Sequence, residues 1–162
     1  MVAAYVGGPA DYDRFLAEYR TTTSPTERSD LLFALPMFKD PDLARRTLDL
    51  AMSDQVRSGD APSLIGSLVA SESVGDVAWA FVKQHWDEIL DRFSPLNIPD
   101  LLSGVTARTK PEQAADVEQF LNAHPVPIAT QEIARDLEQL RINTALRQRE
   151  APNVAAYFGA GR

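Results

Sequence analysis

The stretch Val74-Gly75-Asp76-Val77-Ala78-Trp79-Ala80-Phe81-Val82-Lys83-Gln84-His85-Trp86-Asp87-Glu88-Ile89-Leu90-Asp91-Arg92-Phe93 is the most apolar part of the chain, and its spacing sets the fold class. Val74, Val77, Ala78 and Phe81 recur at helical spacing and form one stripe, while Trp79, Val82, Trp86, Ile89 and Phe93 form a second. Two apolar stripes mean cover from more than one side. The spacing therefore predicts one helix over 74–93, placed at the centre.

The flanks repeat the helical period, cut by proline or glycine. Upstream, Gly59-Asp60-Ala61-Pro62 breaks the chain before a short helix carrying Leu64, Ile65, Leu68 and Val69. Asp40-Pro41 opens another with Leu43, Thr47, Leu50 and Ala51 inward. At Ser24-Pro25 the serine is the cap, the proline takes the first helical position and Glu27 is the first-turn acid. The apolar face of that helix is Leu31, Leu32 and Leu35, and Pro36 ends it. After Gly7-Gly8-Pro9, the residues Tyr12, Phe15, Leu16 and Tyr19 make one stripe. Downstream, Pro95 and Pro99 bracket a turn into a short helix around Leu101 and Leu102. Thr109-Lys110-Pro111-Glu112 starts a helix with Ala114, Val117, Phe120, Leu121 and His124 on one face, stopped by His124-Pro125-Val126-Pro127. The last long helix is expected from about Ile128 to Arg149, with Ile133, Leu137 and Leu140 inward.

No alternating polar-apolar stretch bounded by hairpin turns is present. The expectation is an all-α fold of about eight helices with short connections, an irregular superhelical stack of antiparallel helix pairs of HEAT or armadillo type. No strict repeat period supports a consensus array.

Composition narrows the function classes. At 162 residues, with 44% hydrophobic and 24% charged residues, the chain has enough apolar material for one globular core. A net charge of -7 argues against wide contact with nucleic acid, and the densest basic places, Arg45-Arg46 and Arg141 to Arg149, read as solvated helix faces. The absence of cysteine excludes thiolate metal sites and cysteine nucleophiles. No apolar run approaches a membrane span, and Met1 to Gly8 does not read as a signal peptide.

A zinc peptidase helix needs two histidines one turn apart with a glutamate between them. The only histidines are His85 and His124, and in His85-Trp86-Asp87-Glu88-Ile89 an isoleucine stands where a second ligand is required. The reading for His85 is a partly buried, hydrogen-bonded histidine, and for His124 a helix C-terminal contact. Gly66-Ser67 lacks the nucleophile elbow and lies in a helix. The carboxylates Asp13 with Glu18, and Asp87 with Glu88 and Asp91, read as helix surface. Trp79 and Trp86 read as core anchors rather than a ligand cage. No catalytic, cofactor-binding or metal residue is assigned.

Several segments resemble one family in order and spacing. Gly7-Gly8 with Asp11-Tyr12-Asp13-Arg14-Phe15-Leu16-Ala17-Glu18-Tyr19, then Glu27-Arg28, Leu31-Leu32-Phe33-Ala34-Leu35, Asp40-Pro41-Asp42-Leu43 and Leu48-Asp49-Leu50-Ala51-Met52-Ser53, look like the C-terminal helical domain of the aminopeptidase N family. The most specific part is Ala78-Trp79-Ala80-Phe81-Val82-Lys83 with His85-Trp86, similar to the family's Ala-Trp-x-Phe-x-Lys-x-Asn-Trp stretch, with His85 in place of the asparagine. Glu118-Gln119-Phe120-Leu121 and Leu137-Glu138-Gln139-Leu140-Arg141-Ile142-Asn143 resemble its closing helices.

The resemblance implies a HEAT-like domain over 10–150, preceded by a linker or the end of an upstream helix at 1–9 and followed by a tail at 151–162. It implies a non-catalytic part of a zinc aminopeptidase that walls the peptide chamber, with the zinc and the catalytic residues in a domain of the same polypeptide upstream. The expected partners are that catalytic domain and peptide substrates, with neither nucleic acid nor membrane. The first helix is expected to leave an apolar flank that promotes self-association. The rival is a free-standing HEAT-like adaptor, and a weaker third is a small helical hydrolase using a carboxylate pair. A cytoplasmic setting is the default, and the arginine- and alanine-rich usage associates with high-GC bacteria.

Overall fold

Proline sets most of the helix starts. In the computed structural model, which describes residues 7–159, the helices are α1 (Pro9–Thr21), α2 (Pro25–Ala34), α3 (Pro41–Ala51), α4 (Ala61–Val69), α5 (Gly75–Gln84), α6 (Trp86–Arg92), α7 (Ile98–Leu102), α8 (Pro111–Ala123) and α9 (Thr130–Gly159). Pro9, Pro25, Pro41 and Pro111 are each the first helical residue, where a missing N–H costs nothing. Ser24 accepts from the Glu27 N–H at 3.4 Å, and one Asp40 oxygen accepts from the N–H groups of Asp42 and Leu43 at 2.8 and 3.4 Å. Among the described residues there are no strands, and four short 3₁₀ turns, 35–37, 95–97, 103–107 and 127–129, make up part of the connections.

The helices stack on one another as the all-α reading requires. α1 packs on α2, α4 lies against α3, α5 and α7, and α9 runs beside α8 and the 103–107 turn. The apolar stripes are buried where the spacing put them. Tyr12, Leu16 and Tyr19 of α1, Leu31 and Leu32 of α2, Leu43, Thr47, Leu50 and Ala51 of α3, and Ile133, Leu137 and Leu140 of α9 are all in the core. Thr47 is buried at no cost in unpaired polar groups, because its hydroxyl donates to the Leu43 carbonyl and meets the Tyr12 hydroxyl at 3.0 Å. No helix among the described residues is long and apolar enough to cross a membrane.

Three expectations need correction. First, 74–93 is not one helix. It breaks at His85, whose N–H donates to the Phe81 carbonyl and whose carbonyl accepts from the Ile89 N–H, both at 2.9 Å. His85 thus ends α5 and starts α6. No proline or glycine marks the break, where His85 leaves the helical range at φ −106° and ψ 20°, and it accounts for nine helices among the described residues where about eight were expected. The second stripe, Trp79, Val82, Trp86, Ile89 and Phe93, is fully buried across the break, whereas Val77 and Phe81 of the first are half-buried. The centre is shared with α4, whose Ala61, Leu64, Ile65 and Leu68 are wholly enclosed.

Second, α9 does not stop near Arg149 but continues to Gly159 with Pro152 inside it. Proline removes one backbone donor and favours a kink, which is why the sequence reads as an end there. Third, the apolar flank expected on α1 is reduced to the half-buried Phe15, which shares a depression with Leu31 and Phe33 of α2, while Tyr12, Leu16 and Tyr19 are covered. The large exposed apolar side chains cluster on α9 instead, at Ile142, Leu146, Val154, Tyr157 and Phe158. Most of the expected 1–9 linker, residues 1–6, lies outside the described residues.

Candidate functional site

The residues that carried the reading converge on one seam between α5, α6 and α8. Phe120 of α8 receives both tryptophans edge-on, Trp79 at 5.4 Å between ring centroids and Trp86 at 5.3 Å. Edge-to-face contacts set the positive ring edge against the negative face of its neighbour, so each adds to the apolar area already buried. His124 stacks on Phe120 at 4.2 Å and meets Trp86 edge-to-face at 6.5 Å. The spacing of Trp79 and Trp86 puts them on one side even though the helix between them is interrupted.

Asp116 closes the polar edge of that joint. The Trp79 Nε1–H donates to its Oδ2 at 2.7 Å, and the Lys83 ammonium lies 2.7 and 2.8 Å from its two oxygens. Burial pushes the Asp116 carboxyl up, but the hydrogen bonds from Lys83 and Trp79 outweigh it and hold the carboxyl below its ordinary range. Sequence gave no signal for this triad, because Asp116 is far from both partners along the chain.

Both histidines have local jobs. His85 stacks on Phe81 at 4.2 Å and its Nδ1 lies 3.0 Å from Glu88 Oε2. His124 caps the end of α8, Nδ1 lying 2.9 Å from the Phe120 carbonyl, but it is exposed rather than on the apolar face. Among the described residues no group of three or more His, Cys, Asp or Glu is arranged to hold a metal ion. The Ser67 hydroxyl donates back to the Ser63 carbonyl at 2.9 Å on an exposed helix face. Asp13 pairs with Arg46 at 2.6 Å, and Glu18, Asp87 and Asp91 are exposed. The structure brings none of these carboxylates together into an acid–base pair.

A second joint was not read from sequence. Arg108, only 6% exposed, donates from Nη2 to Asp76 Oδ1 at 2.7 Å, and Gln113 donates to the same oxygen at 2.7 Å. The Arg108 hydrogen bond holds the Asp76 carboxyl below its ordinary range, with burial opposing and Gln113 reinforcing it. Gly75 makes the arrangement possible: a Cβ there would stand 2.6 Å from the Val69 carbonyl oxygen and 3.2 Å from Arg108 Nη1.

A stack of helices joined by packed aromatic contacts, with no strand among the described residues, defines the class as an all-α domain. The family follows from comparison: the description "ERAP1-like C-terminal domain" fits residues 1–142, and the chain belongs to that family, the C-terminal domain of M1 aminopeptidases. It is 32% identical over 150 residues to Aminopeptidase M1-B of Oryza sativa subsp. japonica, covering 90% of this chain and 17% of that protein. It is 27% identical over 158 residues to the Alanine/arginine aminopeptidase of Saccharomyces cerevisiae, covering 96% and 18%. It is 29% identical over 166 residues to Aminopeptidase N of Oryctolagus cuniculus, covering 98% and 17%. The chain therefore spans less than a fifth of the length of these relatives.

Proposed function

We propose that the chain serves a zinc aminopeptidase as its non-catalytic helical wall, bounding the chamber that peptide N-termini enter and limiting which peptides fit. The observation that carries this reading is the ordered match of almost the whole chain to a small fraction of proteins named as aminopeptidases. The two histidines support it. One imidazole alone holds zinc too weakly for catalysis, and His85 and His124 are each committed to a neighbouring group of their own helix junction. The zinc and the residues that activate its water belong, on this reading, to a catalytic domain outside this chain.

Two experiments test it. The purified 162-residue chain is expected to leave alanyl and leucyl fluorogenic amides uncleaved with or without added zinc. Zinc-dependent turnover by the chain alone would overturn the assignment. In the full-length protein, whose reading frame should carry His-Glu-x-x-His upstream, a peptide with a photoreactive group near its C-terminus should label residues within this domain. Labelling confined to the rest of the protein would remove the chamber role, and a frame without the zinc motif would favour the free-standing adaptor.

A further inference from the structure

We infer that the pocket between the 69–72 turn, the start of α8 and Arg147 of α9 binds a small oxyanion, a phosphate or a carboxylate group. The pocket measures about 260 Å³, below the usual size of a drug-like site and suited to one small polar group. Arg108, Lys110 and Arg147 line it against a single carboxylate, Glu72. Three cations around one concavity stand out on a chain whose net charge is -7, where anions are otherwise repelled.

The local structure fixes these charges in place. Arg147 donates from Nη1 to the Thr109 hydroxyl at 3.2 Å, which ties α9 to the link carrying Arg108 and Lys110. Arg108 is buried, and its one side-chain hydrogen bond, from Nη2, goes to Asp76, which also accepts from Gln113. Its Nε–H is buried without a partner, an unmade bond of the kind that calls for a ligand or water. Lys110 is the N-cap of the thirteen-residue α8 and makes no side-chain cap bond, so the positive end of that helix dipole lies beside the pocket-lining Gln113, offset in part by the first-turn acid Glu112. Asp76 neutralises part of Arg108 from behind, leaving Lys110 and Arg147, neither paired with a carboxylate, as the charges available to a ligand. The site goes beyond the chamber reading and stands or falls separately from it.

The test is calorimetric titration of the 162-residue chain with sodium phosphate and, separately, sodium malonate, at ionic strength held constant with sodium chloride. Saturable one-site binding is expected for at least one ion, and the ion that binds tells phosphate from carboxylate. Lys110→Gln and Arg147→Gln, both at exposed positions, should each weaken binding by about tenfold, the worth of one charge-assisted hydrogen bond. Arg45→Gln, on α3 and paired with Asp42, should leave it unchanged. Melting temperatures of the ligand-free variants matching the parent show that folding is intact. The inference is overturned by the absence of saturable binding of either ion, by undiminished binding in K110Q and R147Q, or by an equal loss in R45Q.

Discussion

Gly66 of α4 and Gly104 of the 103–107 turn meet backbone to backbone: a Cβ on Gly104 would stand 2.1 Å from the Gly66 carbonyl oxygen, and one on Gly66 would stand 2.5 Å from the Asp100 carbonyl oxygen. Both obstacles are main chain, which moves only if the helices separate. Alanine in place of glycine gains up to about 1 kcal/mol of helix propensity. Overpacking a close-packed contact costs about 1–3 kcal/mol or more, and here it wins. Gly104→Ala and Gly66→Ala should each lower the melting temperature by several degrees, about 2–4 °C per kcal/mol for a chain of this size. Unchanged thermal unfolding of G104A would show that the two segments are not in contact.

Phe120 should matter more than its half-buried state suggests. Phe120→Ala removes the ring that both tryptophans meet, with an expected loss of about 3 kcal/mol in urea unfolding and a collapse of the near-ultraviolet tryptophan signal. Phe120→Leu keeps much of the apolar area and loses the edge-to-face geometry, so about 1–2 kcal/mol is expected. Equal losses for the two variants would mean that area alone accounts for the joint.

Asp76 and Asp116 give stability a defined acid limit. Both carboxyls lie below their ordinary range in the folded chain, so the unfolded chain binds protons first as pH falls. Their contribution is complete above the unfolded value near 4 and is lost as pH drops through the lower folded values. Asp76→Asn should cost about 1–2 kcal/mol at pH 7. Removing the partner of a buried arginine is expensive, but most of Asp76 faces water and the interaction is screened. The gap between D76N and the parent in chemical denaturation should narrow as pH falls below the unfolded carboxylate value and close once the folded carboxyl is protonated. A gap that persists there would assign the loss to shape rather than charge.

Asp136 on α9 carries the opposite sign. Burial pushes its carboxyl up, with Arg135 at 3.9 Å offering weak relief and Glu132 adding repulsion. A raised folded value means the charged form is disfavoured in the fold, so the penalty exists above the unfolded value and vanishes below about pH 4. Asp136→Asn should therefore raise the melting temperature at pH 7 and leave it unchanged at pH 3. A loss at pH 7 would point to a favourable role for the charge.

What could be read in advance was local. Helix starts at Ser24-Pro25 and Asp40-Pro41, and the stripes of α1 to α4 and of α9, follow from 3.6-residue periodicity and capping chemistry, which act within one or two turns. Family order was also legible, because the segments around Trp79, Trp86 and Phe120 resemble the family's in sequence, and the family match spans residues 1–142. Most of the missed elements share one property. The Asp116 and Arg108 joints, the Gly66–Gly104 contact and the basic pocket join residues that sequence keeps far apart, and the break at His85 carries no proline or glycine to announce it.

By itself, then, the sequence determined an all-α chain, the faces its helices bury and the lineage of the domain, since periodic apolar spacing drives burial whatever the partner surface is. Only the tertiary structure decided where a long apolar helix must bend, which charges become enclosed and where cations gather. Those outcomes depend on which backbones and side chains arrive at the same place, and electrostatics and close packing act through space rather than along the chain.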